Sequence, residues 1–131
     1  MNTMVEFRSL KFPAYEGEEE QINPGHWGRR VTECLAAKLA EKGIVTEKMA
    51  IEDWGCWLPI QNKGFTLALC CGHQYGDDDQ FVIFTHPKSP KVTKLFRTID
   101  ATLQLTRLLD ALRQILEADP EIRDIVWSVA M

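Results

Sequence analysis

Three short stretches of this 131-residue chain concentrate side chains able to do chemistry. The first is Asn23-Pro24-Gly25-His26-Trp27-Gly28-Arg29-Arg30. Asn is a favoured helix cap and Pro suits the first helical position, so the run reads as the opening of a helix. A helix start offers free N–H groups and the positive end of a dipole. His26, Arg29 and Arg30 would add charge there, and the chemistry on offer is anion binding. The plainer alternative is a cap only, with Trp27 in the core and both arginines solvated. The glycines do not have the fixed spacing of a phosphate loop.

The second stretch, Glu52-Asp53-Trp54-Gly55-Cys56-Trp57, brings two carboxylates beside two indoles. A carboxylate buried against tryptophan can act as an acid, and carboxylate with aromatic suits a sugar or a cation. Asp53, Trp54 and Trp57 are the candidates for such a site. The alternative is a turn that leads into a strand, with the indoles used for packing. The third stretch holds Cys70, Cys71 and His73, with Cys56 and His86 on neighbouring segments. Thiolate and imidazole are zinc ligands. Adjacent residues of a strand point to opposite faces, however, which sets Cys70 against Cys71, and no CxxC pair is present. Asp77-Asp78-Asp79 lacks the alternating ligands and later Glu of a calcium loop. No nucleophile elbow, P-loop or dinucleotide fingerprint occurs. The sequence therefore names no catalytic residue, no metal ligand and no cofactor.

The elements that must carry these residues follow from periodicity. Met4 to Phe12 reads as a first strand, stopped by Pro13, and Ala14 to Ile22 as a charged loop. The helix opened by Asn23-Pro24 carries an apolar stripe at Trp27, Val31, Cys34, Leu35 and Leu39 and ends at Gly43. Gly25 and Gly28 fall in its first two turns, each at a cost of up to ~1 kcal/mol, and such local conflicts gather at functional or strained sites. Residues 44 to 54 form a linker with at most a short strand. Cys56 to Ile60 and Phe65 to Cys71 flank the turn Gln61-Asn62-Lys63-Gly64, and Gln80 to His86 is stopped by Pro87 and Pro90. A second helix spans about Ala101 to Ala118, with Asp100 or Thr98 as cap and Asp119-Pro120 as stop. Ile125 to Val129 makes a last strand.

The order is β-α-β-β-β-α-β in a single domain, residues 1 to 131. The expected fold is α+β: an antiparallel sheet of four to five strands with two amphipathic helices on one face, a two-layer sandwich. Placing Ile60 opposite Phe65 and Leu69 opposite Ile83 gives the sheet one apolar face, with Trp54, Cys56, Leu58, Ile60, Phe65, Leu67, Leu69, Cys71, Phe81 and Ile83. The other face then shows Trp57, Pro59, Thr66, Ala68, Cys70, Val82, Phe84 and His86. That is more apolar than a solvated sheet face. It reads as an interface or groove, as a face covered by a terminal segment, or as the product of a register placed one residue off.

The net charge of −4 opposes nucleic-acid binding. No apolar run approaches the ~20 residues that span a bilayer, and residues 1 to 13 lack the features of a signal peptide. The expected location is the cytoplasm, with the four cysteines reduced and no membrane partner. Asn-Pro-Gly-x-x-Gly-Arg at 23 to 29, a helix, and then Glu-Asp-Trp-Gly-Cys-Trp at 52 to 57 resemble a group of uncharacterised bacterial proteins. The resemblance covers the middle third of the chain and implies a bacterial cytoplasmic protein; it carries over no activity. The leading expectation is a non-enzymatic binding domain, homodimeric through the second sheet face or bound to another protein. A toxin-neutralising immunity protein belongs to this class. The other expectation is a small-ligand protein or enzyme with its site between segments 23 to 30 and 52 to 57.

Overall fold

The computed structural model describes residues 1–131. Eight strands and three helices follow one another in the order β1 (Met4–Arg8), α1 (Glu18–Gln21), α2 (Arg29–Glu41), β2 (Ala50–Glu52), β3 (Gly55–Ile60), β4 (Leu67–Gly72), β5 (Gln80–His86), β6 (Lys91–Lys94), β7 (Arg97–Asp100), α3 (Thr102–Ala118) and β8 (Arg123–Ser128). Six strands form one antiparallel sheet in the order β2-β3-β4-β5-β1-β8, and β6 and β7 make a separate hairpin. The α+β expectation holds, with more strands than the four to five expected.

The two longer helices bury their stripes on one face of the sheet. Val31, Leu35 and Leu39 come from α2, and Leu105, Leu108, Leu112 and Leu116 from α3. They meet Val5, Phe7, Leu58, Leu69 and Ile83, all at most 2% exposed. Each such side chain stabilises the fold by about 1.5–3 kcal/mol relative to exposure. At the start of α3, Asp100 Oδ1 accepts from the Thr102 N–H at 2.9 Å and its hydroxyl at 2.6 Å. Pro120, which has no N–H to continue a helix, lies just beyond its end.

Both expected registers are off by two residues: Ile60 opposes Leu67, and Leu69 opposes Thr85. The first turn is longer than four residues, and Phe65 folds back from it into the core. A shift of two keeps every side chain on its face, so the division of the sheet into a core face and an open face stands. Trp54 is the exception. It lies in the turn between β2 and β3, outside the alternation, and its ring packs on Phe84 of the open face.

Other boundaries differ for local reasons. β1 ends at Arg8 rather than Phe12. Part of the expected loop from Ala14 to Ile22 is helical, as α1. The chain after Pro90 turns back on itself as the β6–β7 hairpin, whose tip exposes Leu95 and Phe96 fully. The largest difference is at α2, which starts at Arg29 and not at Asn23. Residues 23 to 26 form a turn, in which Gly25 has φ +79°.

Gly28 is required by contact. Trp27 and His73 exchange backbone hydrogen bonds of 3.4 and 2.7 Å, which lays the segment before α2 against the end of β4. A Cβ on Gly28 would stand 2.5 Å from the Cys71 carbonyl oxygen, and one on Gly55 2.6 Å from the same atom. A Cβ on Gly72 would stand 2.7 Å from the Trp27 carbonyl oxygen. Three backbones therefore meet at van der Waals distance, and the two glycines that conflict with a helix lie outside it.

Gly28→Ala must push backbone apart and is expected to cost about 3 kcal/mol. Gly25→Ala meets open space and only an unfavourable φ, at about 1 kcal/mol. Urea unfolding of both variants checks this, and equal losses would mean that the backbone contact does not govern the site.

Candidate functional site

The anion seat expected at the start of α2 is already filled. Glu18, 1% exposed, reaches from α1 to the helix start. Its Oε2 accepts from the N–H groups of Gly28 at 2.8 Å and Arg29 at 2.9 Å, and its Oε1 from the Tyr15 N–H at 2.9 Å. A carboxylate at the positive end of a helix dipole, with three backbone donors, is a favourable buried charge. The neighbouring Glu19 Oε1 accepts from the Gly25 N–H at 2.8 Å. The acidic stretch expected as a charged loop is thus in part the internal counter-ion of α2. Its one sequence signal is a Glu three residues after Tyr15, the spacing of a capping box.

The two arginines are engaged as well. The guanidinium carbons of Arg29 and Arg30 lie 4.6 and 3.9 Å from the centre of the Tyr15 ring. The Tyr15 hydroxyl donates to Glu33 at 2.5 Å, which together with burial raises the phenol above its ordinary value. His26 is half-buried beside the Pro24 carbonyl, at 3.2 Å. Segments 23 to 30 and 52 to 57 do touch: Asn23 Nδ2 donates to the Asp53 carbonyl oxygen at 2.6 Å. The six candidate residues nevertheless fall on two sides of the sheet. Arg29 and Arg30 belong to the helix layer, and Trp54 and Trp57 belong to the open face. The structure does not assemble them around one cavity.

The open face does bring a group together. Trp54 lies 6.2 Å from Phe84 and Trp57 5.2 Å from His86, centre to centre. Lys88 Nζ sits 5.4 Å from the Phe84 centre. No helix covers these rings, yet Ala68 and Cys70 beneath them are 0% and 3% exposed. Towards β1 and β8 the same face continues as a hollow of about 440 Å³, edged by Glu6, Tyr75, Gln80, Val82, Val126 and Ser128. Tyr75 closes one side by donating its hydroxyl to Glu6 at 2.8 Å. Arg8 bonds Asp77 and Asp79, and Arg123 also reaches Asp79, at 2.7–3.1 Å.

The thiols have the chemistry of buried apolar groups. Burial pushes Cys56 up to about 11 and Cys70 up to about 12, and it raises Cys71 and Cys34 too. Cys70 and Cys71 occupy opposite faces of β4, and the His73 ring nitrogens both point at backbone carbonyls. No three His, Cys, Asp or Glu side chains converge as a metal-holding group. A cavity of about 480 Å³ lies between α2 and α3, with Cys34 in its wall. At its rim Lys11 bonds Asp119 at 2.6 Å. Compared with family models, curated proteins and solved structures, the chain finds no match in any of the three.

Glu18→Ala leaves three N–H donors facing a void and is expected to lose about 3 kcal/mol in urea unfolding. Acetate at high concentration, but not chloride, is expected to recover part of that loss. A thiol-specific disulfide reagent at pH 8 is expected to react with Cys34 first and to leave Cys56, Cys70 and Cys71 untouched until the chain unfolds. Rapid reaction of Cys70 would show that the aromatic rings do not shield it.

Proposed function

We propose that this chain is a non-enzymatic interaction domain whose open sheet face docks a protein partner, with a second copy of the chain as the first partner to test. The observation that carries the reading is the group Trp54, Trp57, Phe84 and His86 on a face that no helix covers. In a two-layer sandwich the outer sheet face is ordinarily polar. Tryptophan, tyrosine and phenylalanine are the residues enriched where proteins bind proteins. In the hollow beside the rings, Glu6, Tyr75 and Gln80 supply hydrogen-bonding groups for such a surface.

Three further facts support the class. The net charge of −4 suits a protein partner better than a phosphate backbone. No helix is long and apolar enough to cross a membrane. Four free thiols suit a reducing compartment, so we place the domain in the cytoplasm. Gly25 and Gly28, the motive for the ligand-site reading, serve a turn and a close backbone contact, and Glu18 accepts from the amides at the helix start.

Native mass spectrometry of the purified protein without additives tests this. The expected result is a dimer without adduct. Trp57→Asp is expected to give a monomer with an unchanged far-ultraviolet circular dichroism spectrum. A wild-type monomer would remove the second copy as partner, and a monomer with a stoichiometric small-molecule adduct would favour a ligand site instead.

A further inference from the structure

The tip of the β6–β7 hairpin breaks the ordinary rules of a turn. Leu95 and Phe96 connect Lys94 to Arg97, the last pair in register, as a two-residue loop. Such loops favour Asn-Gly or Asp-Gly, because their backbone enters the left-handed region. Here Leu95 holds φ +57°. A leucine in that region is uncommon. Both side chains stand in solvent, 86% and 106% exposed. The hairpin behind them is tied down. Val92 and Ile99 pack against the core, and the Ala101 N–H donates to the Pro90 carbonyl at 2.6 Å. The tip is therefore presented on a fixed stalk, and strained backbone of this kind gathers at sites of function.

This tip stands in a basic stretch of an acidic chain. Residues 80 to 99 hold Lys88, Lys91, Lys94 and Arg97 and no carboxylate. The chain's net −4 less these four positive charges leaves −8 on the rest. Lys94 and Arg97 flank the tip directly, and Lys91 and Lys88 follow towards the base of the hairpin. Lys63 lies on the neighbouring turn, which Lys94 Nζ touches at the Gly64 carbonyl, 3.4 Å away. None of these five cations forms an ion pair with a carboxylate. Asp100, opposite Lys91, turns its carboxylate to Thr102 instead.

We propose that the β6–β7 tip is a peripheral contact for an anionic lipid surface. Leu95 and Phe96 enter the boundary between headgroups and acyl chains, and Lys63, Lys94 and Arg97 meet the anionic headgroups. Leucine and phenylalanine are among the residues that bury at that depth. Each cation held near an anionic leaflet adds roughly fivefold to binding. A protein partner fits this end of the molecule less well. Protein interfaces favour arginine and are depleted in lysine, and four of the five cations are lysine. The −8 on the rest of the chain makes the approach directional, since an anionic plane attracts the tip and repels the other sides. The absence of a spanning helix bears on insertion across a bilayer and not on contact with its surface. The contact uses neither the rings nor the hollow of the open face, so it does not rest on the docking reading.

Flotation of the purified protein with vesicles at low salt tests this. Wild type is expected to float with vesicles of equal parts phosphatidylserine and phosphatidylcholine, and to stay behind with phosphatidylcholine alone. Leu95→Asn combined with Phe96→Gly gives the turn its favoured residues. That double variant is expected to keep the wild-type circular dichroism spectrum, to unfold in no less urea, and to lose about tenfold or more in vesicle binding. Lys94→Glu combined with Arg97→Glu is expected to lose at least about tenfold as well, through reversed charge. The proposal is overturned if wild type fails to bind the anionic vesicles or binds both kinds equally. Binding by the folded turn variant at the wild-type level would overturn it too.

Discussion

The structure depends on one place where three backbones touch with no side chain between them. Gly28, Gly55 and Gly72 let the segment before α2, the start of β3 and the end of β4 close around the Cys71 and Trp27 carbonyls. That contact fixes where α2 begins. It also sets the helix start beside α1, where Glu18 supplies the carboxylate that the freed N–H groups need. A helix forced to start against a sheet cannot solvate its first amides. The fold therefore provides the acceptor from its own chain.

The same contact explains why the expected ligand site divides. Residues 23 to 30 and 52 to 57 do meet, but they meet backbone to backbone. Their side chains leave in opposite directions, the arginines to Tyr15 above the sheet and the indoles to the open face below it. Glycine-rich, charged and aromatic composition is the same whether a segment binds a ligand or packs closely against its own chain. The geometry here is that of close packing.

What the sequence disclosed and what it hid follow the range of the forces involved. The leucine stripe of α3 and the alternation in β3, β4 and β5 are local patterns, and they gave the class, the two longer helices and the two sheet faces. The β3–β4 register slipped by two because its turn is lengthened by Phe65, which folds back into the core, and that packing is not local. The β6–β7 hairpin was missed because its residues are mostly exposed and only Val92 and Ile99 pack against the core, too few to make an alternating pattern. Glu18 was read only as part of a charged loop, because a glutamate among glutamates carries no mark of the three N–H groups it will meet. The open face was legible, since Trp57, Phe84 and His86 alternate with core residues. Trp54 was not, because a turn removes it from the alternation.

The position of β1 has a consequence for assembly of the fold. It lies between β5 and β8, so Met4 faces both Phe84 and Ser128. The earliest strand in the chain is completed only by the latest one. Such pairing between distant parts of the chain is non-local and slows folding relative to a fold of local contacts. During synthesis β1 must wait with an open edge until α3 and β8 have emerged. The neighbouring positions of the first and last strands also make this a fold in which a short linker could join its ends and new ends could be opened at the exposed β6–β7 tip, a circular permutation that leaves every sheet pairing intact.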